Sequence, residues 1–242
     1  GSAVNENTTV YARWAGSDAA NTVAVIFNPN GGSFVQSQII TRGQSATRPA
    51  DPTRTGATFD TWCEDTSLAV PYVFSSAVNE DTTVYARWSA NAGYHSVTFS
   101  TGGSQDFIET QIVADGAYAT KPATDPVREN AVFDAWCADT ALEVAFGFTS
   151  TPITQDMTLY ARYKAQNPAS YAVVTFNPNG GSFVGQALVA KGSTVAKPQD
   201  PTLAGATFTG WYKDTALEDA FNFASAITQD MTLYARWQGS AA

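Results

Sequence analysis

A catalytic side-chain network needs a nucleophile, a base and a group that orients them. The sequence offers one histidine, His95, and two cysteines, Cys63 and Cys137. His95 falls in a stretch that reads as a linker between repeated segments, which suits a solvated side chain better than a base. The two cysteines lie 74 residues apart at equivalent positions of a repeat. Equivalent positions in successive modules seldom bring Cα atoms within the ~7 Å that a disulfide requires, so two separate, partly buried thiols are expected. Neither cysteine is followed by Gln, which disfavours an internal thioester. The recurring acids Asp65/Asp139/Asp214 and Asp81/Asp156/Asp230 adjoin turns or strand starts, where carboxylates cap backbone N–H groups. No segment gathers the dense Asp/Asn ladder of a calcium loop. Lys121 and Lys197 correspond, but Arg48 occupies that position in the first copy, and arginine cannot form an isopeptide crosslink. The expectation is a protein without catalytic residues, metal or cofactor. The binding candidates are the tyrosine and arginine pairs Tyr85/Arg87, Tyr160/Arg162 and Tyr234/Arg236. Cross-strand stacking of Tyr on Arg is the structural alternative for the same residues.

These residues recur because the chain does. "VYARW" at 84–88 returns as "LYARY" at 159–163 and "LYARW" at 233–237, and "VYARW" also stands at 10–14. The Tyr-Ala-Arg triplets are spaced by 74, 75 and 74 residues. Segments 22–88 and 171–237 align without a gap, and 94–163 is a third copy with a shorter first turn, "FSTGG" in place of "FNPNGG". The expected organisation is a tail of a preceding repeat at 1–21, then repeats at 22–88, 94–163 and 171–237. The seven residues after each closing aromatic, 15–21, 89–95 and 164–170, are rich in Ala, Ser, Asn, Gly and Pro and read as linkers. Units of about 67 residues can each close a small core, which suggests beads on a string. The tail carries the apolar stripe of a closing strand and is expected to support weak self-association by adding to a sheet edge.

Within each copy the hydrophobic period is two. Val25/Phe27, Val97/Phe99 and Val174/Phe176 mark a first strand. "QIITRG", "QIVADG" and "ALVAKG" mark a second, "ATFDTWC", "AVFDAWC" and "ATFTGWY" a third, and the Tyr-Ala-Arg segment a fourth. Two closely spaced prolines leave room for one helical turn after the second strand. The segments beginning Asp65-Thr66, Asp139-Thr140 and Asp214-Thr215 suggest an N-capped short helix. The expected fold class is mainly β or α+β: mixed four-stranded sheets, each with one short helix or helical turn. Trp62/Trp136/Trp211 and Trp88/Tyr163/Trp237 read as core or rim rather than as a glycan platform.

The net charge of −9 argues against nucleic acid and against an anionic membrane surface. No apolar run approaches the ~18 residues needed to cross a bilayer, so no membrane contact is expected within this segment.

F-N-P-N-G-G, then K/R-P-x-D-P, G-A-T-F-x-x-W and finally D-x-T-[LV]-Y-A-R-W resemble the Listeria–Bacteroides repeat, typified by the B-repeat of internalin B. The cysteines depart from the pattern, which carries tyrosine there as at Tyr212. The resemblance implies β-grasp-like modules of a secreted or cell-surface bacterial protein, acting as a spacer or as an adhesion module. It brings no catalytic residues. The two readings are a stalk that projects a distal domain, and an adhesin segment whose repeated weak sites bind a host surface protein or glycan.

Overall fold

In the computed structural model, residues 20–104 and 106–239 are described. The expected tail strand and its self-association fall outside them. The chain divides into two compact units, Gly1–Ser89 with the first repeat and Ala90–Ala242 with the second and third.

Every repeat forms the same sheet. The strands of the first are β1 (Thr22–Asn28), β2 (Gln38–Thr41), β3 (Ala57–Cys63) and β4 (Thr82–Ala90). The second has β5 (Tyr94–Ser100), β6 (Gln111–Ala114), β7 (Ala131–Cys137) and β8 (Met157–Ala165). The third has β9 (Tyr171–Asn177), β10 (Ala187–Ala190), β11 (Ala206–Tyr212) and β12 (Met231–Gly239). The order in the first is β2-β1-β4-β3, repeated as β6-β5-β8-β7 and β10-β9-β12-β11. First and second strands pair antiparallel, while first and last strands pair parallel.

The expected helix is replaced by a loop, and the described residues contain no helix at all. The reason lies in the segment Asp65–Val70 and its counterparts. Leu68, Leu142 and Leu217 sit at φ +59°, +61° and +59°, which no right-handed helix accommodates. Such a conformation costs about 1–2 kcal/mol for an L-residue. Burying the leucine, as at Leu68 and Leu142, offsets it by about 2 kcal/mol. The Asp65 carboxylate accepts N–H bonds from Ala69 (3.1 Å) and Val70 (2.7 Å), closing the loop around one acid. Asp139 does the same for Glu143 and Val144, and Asp214 for Glu218 and Asp219. The expected capping role is therefore met, on a loop instead of a helix.

Two loops laced to each other cover the sheet where a helix could have packed. Gly43 N–H donates to the Val78 carbonyl at 2.9 Å and Val78 N–H to that of Gln44 at 2.9 Å. The same pair of bonds joins Gly116 and Ala117 to Ile153, and Gly192 and Ser193 to Ile227. Val78, Ile153 and Ile227 are thereby pressed into the core beside Trp62, Trp136 and Trp211. The last three indoles are at most 2% exposed, so no sugar platform exists there. The closing aromatic also fixes the first turn. Trp88 Nε1 donates to the Pro29 carbonyl and Trp237 Nε1 to that of Pro178. A Cβ on Gly32 or Gly181 would collide with that indole. Where the closing residue is the smaller Tyr163, its hydroxyl reaches the Thr101 carbonyl at 2.7 Å across the shorter turn.

Two features of the linkers differ from expectation. His95 lies on β5, with Nε2 2.9 Å from Asp115 Oδ1 and Nδ1 3.8 Å from Asp156 Oδ1. Between the second and third repeats, β8 continues through Lys164 and Ala165, and the chain then turns tightly on Asn167, whose carbonyl accepts N–H bonds from Ser170 and Tyr171. That connection is an ordered corner.

Candidate functional site: the tyrosine–arginine face and the repeat junction

The last strand of each repeat alternates inward and outward side chains, so Val84, Ala86 and Trp88 enter the core and Tyr85 and Arg87 lie on the other face. Arg87 turns to the neighbouring strand. Its Nε donates to Asp60 Oδ2 at 2.6 Å and its Nη1 to the Leu68 carbonyl at 3.1 Å. Arg162 repeats both contacts with Asp134 (2.7 Å) and Leu142 (2.9 Å), and Lys164 also pairs with Asp134. Burial pushes the Asp134 carboxyl up, but Lys164 and Arg162 together hold it below the usual carboxylate range. The cysteines sit beneath this pair. Both thiols are free and buried, and burial pushes that of Cys137 up to about 11.

The third repeat solves the same position differently. Thr209 replaces the aspartate and Tyr212 the cysteine. Arg236 lies over the Tyr212 ring at 5.4 Å and donates to its hydroxyl at 3.1 Å. Here the arginine of the Tyr-Ala-Arg segment does stack on a tyrosine, that of the neighbouring strand. Arg48, Lys121 and Lys197 also occupy equivalent places, each about 6 Å from a Phe ring and paired with an aspartate.

Tyr160 has another partner. Its ring meets Phe183 of the third repeat at 4.5 Å, tilted by 34°. Around this contact the second and third repeats are sewn together by Gln186, which is 6% exposed. Gln186 Oε1 accepts the Tyr163 backbone N–H at 2.7 Å, and its Nε2 donates to Thr175 Oγ1 at 2.9 Å. The Gln186 carbonyl accepts from Arg128 Nη2 at 2.7 Å, while Arg128 Nη1 donates to the Gly102 carbonyl at 3.1 Å. Arg128 lies over the Tyr163 ring at 5.6 Å, and its burial lowers its pKa from the ordinary value. Asn177 Nδ2 donates to Glu143 Oε1 at 3.1 Å. The two backbones touch at glycines, since a Cβ on Gly185 would stand 3.1 Å from the Gly102 carbonyl oxygen. A cleft of about 350 Å³ beside the junction is lined by Lys164, Gln186 and Asp230 among others.

Of the junction residues, the sequence singles out Tyr160 as a binding candidate and Tyr163 as a core or rim aromatic, and none of the others. Their signal is a departure from the repeat: Gly185-Gln186 stand where the first copy has Gln36-Ser37, and Gly102 lies in the shortened turn. Among the described residues no group of three or more His, Cys, Asp and Glu side chains is placed to hold a metal ion.

Mixed four-stranded sheets, without a helix among the described residues, repeated in tandem and with the second and third joined through a polar-aromatic seam, define a modular repeat protein. The chain belongs to the Listeria-Bacteroides repeat domain family, which matches residues 24–87, 95–162 and 173–236. It is 33% identical over 231 residues to a protein of Evansella cellulosilytica whose description calls it a membrane protein. It is 34% identical over 224 residues to a second protein of that organism, described as a Gly-rich membrane protein. The alignments take in 95% and 92% of this chain but only 33% and 24% of those relatives. Among the described residues no helix is long and apolar enough to cross a membrane.

Proposed function

We propose that the chain is a non-catalytic spacer, a run of repeats that holds another part of a bacterial surface protein away from its envelope. The observation that carries this reading is the seam between the second and third repeats. A spacer transmits distance only if its joints resist bending, and a buried glutamine with three polar partners, beside a stacked Phe–Tyr pair, resists it. Extracellular placement fits the membrane-protein descriptions of the two relatives. The tyrosine–arginine face offers less to a host protein or glycan than its residue types suggest, because Arg87 and Arg162 are already engaged by aspartate.

The test is a distance measurement in solution. With Cys63 and Cys137 replaced by alanine, spin labels at Val132 and Thr207 report the separation of the second and third repeats. A single narrow distribution supports the spacer, and a broad one, typical of a flexible tether, contradicts it.

A further inference from the structure

In every repeat the first and last strands lie side by side and run parallel. Val25–Asn28 pair with Thr82–Tyr85, Val97–Ser100 with Met157–Tyr160, and Val174–Asn177 with Met231–Tyr234. The chain enters a repeat at the start of its first strand and leaves at the end of its last. Tension along the chain therefore drags these two strands in opposite directions along their own axes. All bonds of that short ladder are loaded together, in shear, whereas a ladder pulled from one end opens one bond at a time.

Side chains lengthen the ladder at both ends. At the lower end, the carboxylate just before each last strand accepts a backbone N–H from the first strand. Ala24 donates to Asp81 at 2.9 Å, Ser96 to Asp156 at 2.8 Å and Val173 to Asp230 at 2.8 Å. Bonds to an ionised acceptor are the stronger kind. At the upper end, Asn30 Nδ2 donates to the Ala86 carbonyl at 2.9 Å and Asn179 Nδ2 to that of Ala235 at 2.7 Å. In the first and third repeats the closing indole adds a further bond to the turn that follows the first strand. In the second repeat Tyr163 Oη supplies it. A turn cap would need none of this reach across the sheet.

We propose that each repeat is a force-bearing clamp, with Asp81, Asp156 and Asp230 as the residues that lock its loaded strand pair. The biological use of such a clamp rests on the spacer reading, since a stalk under flow or pulled by a bound partner carries tension. The clamp itself is a property of the fold and can be measured apart from that reading.

The experiment is single-molecule stretching of the full chain by its ends. Each repeat that unfolds should release about 200 Å or more of chain, at up to ~3.6 Å per residue. Attachment at residues 206 and 239 instead places the force on two neighbouring ends of the antiparallel pair β11–β12, where Ala206 faces Gly239. That geometry should break the third repeat at no more than about half the force, because single bonds carry the load in turn. At fixed force, D81A/D156A/D230A should unfold about tenfold faster than the unaltered chain, the loss expected for one hydrogen bond to a charged acceptor. Q38A/Q111A removes bonds to Thr47 and Thr120 outside the loaded pair and should leave the rate unchanged. Rupture forces equal in the two directions, or an aspartate variant no faster than the glutamine variant, would overturn the clamp. If the aspartate variant does not fold, the comparison of directions decides alone. A broad spin-label distribution beside a direction-dependent rupture force would sink the spacer and leave the clamp standing.

Discussion

The second and third repeats have sheets of the same topology within one compact unit, yet they stabilise the equivalent arginine by opposite means. Arg162 is held by a carboxylate, Asp134, whose side chain is 15% exposed and which also binds Lys164. Arg236 is exposed and leans on a neutral tyrosine. An ion pair sheltered from water makes each member depend on the other, because the survivor of a broken pair stays poorly solvated and uncompensated. A cation on an aromatic face in water risks little when its partner is removed. The outward face of the second repeat is also the one that receives Phe183 and Gln186, and the engaged arginine lies beside Tyr160 on that strand. Rigidity of the strand and its use as a docking surface thus coincide.

Asp134→Ala should therefore have the largest effect. It strands the half-buried Arg162, while Lys164 is exposed to water, and is expected to cost about 2–3 kcal/mol, somewhat below the cost of breaking a wholly buried pair. Thr209→Ala in the third repeat should cost under ~0.5 kcal/mol, as surface changes do. Denaturant melts of the two variants measure the difference, and equal losses would break the comparison.

Gln186→Ala comes next. It leaves the buried Tyr163 N–H unpaired and should cost about 1–3 kcal/mol. The loss should appear as broader spin-label distances between the second and third repeats as well as a lower melting transition.

The cysteines sharpen the contrast through chemistry. With its thiol pushed up to about 11 by burial, Cys137 is almost wholly protonated at pH 8. Alkylation of the folded chain at that pH should run on the order of a hundredfold slower than in the unfolded chain, where a free thiol titrates near ~8.5. Rapid labelling of Cys137 in the native protein would show that its site opens.

Acid should act on all three repeats alike. The hydrogen bonds of Ser67, Val70 and Ala69 to Asp65 outweigh the upward push of its burial and lower its pKa. Asp134 and Asp214 are lowered as well, Asp214 by the N–H groups of Asp219 and Glu218. A carboxyl with a depressed folded-state pKa binds its proton more readily in the unfolded chain. Its stabilisation is complete above the unfolded carboxylate value of ~3.9 and disappears as pH falls through the folded value. Melting temperature, as far as these carboxylates set it, should be flat from pH 7 to about 5 and fall below about 4. Thr209→Asp should also have a small effect, since it offers Arg236 an exposed partner worth under ~1 kcal/mol.

The repeat, its strands and its closing aromatics were legible in the sequence because period-two burial leaves a mark at every second residue. Tyr85 and Arg87 could be placed on one face for the same reason. The helix after Asp65 was misread because an N-cap aspartate and a loop-closing aspartate look alike in sequence. What separates them is the left-handed turn at Leu68, and leucine gives no warning of it. His95 was misplaced because the first strand of the second repeat begins at Tyr94, so the irregular stretch before it is shorter than its composition suggests. The seam was invisible for a different reason. Aligning copies emphasises what they share, whereas Gln186, Arg128 and Gly102 act as a set only across two adjacent copies.

Hydrogen exchange at the Tyr163 backbone amide, in the intact chain and in Gln186→Ala, tests the seam most directly. If the second and third repeats are locked as described, this amide exchanges slowly in the intact chain. The variant should then exchange at least tenfold faster there, a loss of about 1.4 kcal/mol of local protection, while amides inside β9 and β12 stay unchanged. Fast exchange at Tyr163 in the intact chain, or a rate indifferent to Gln186, would contradict it.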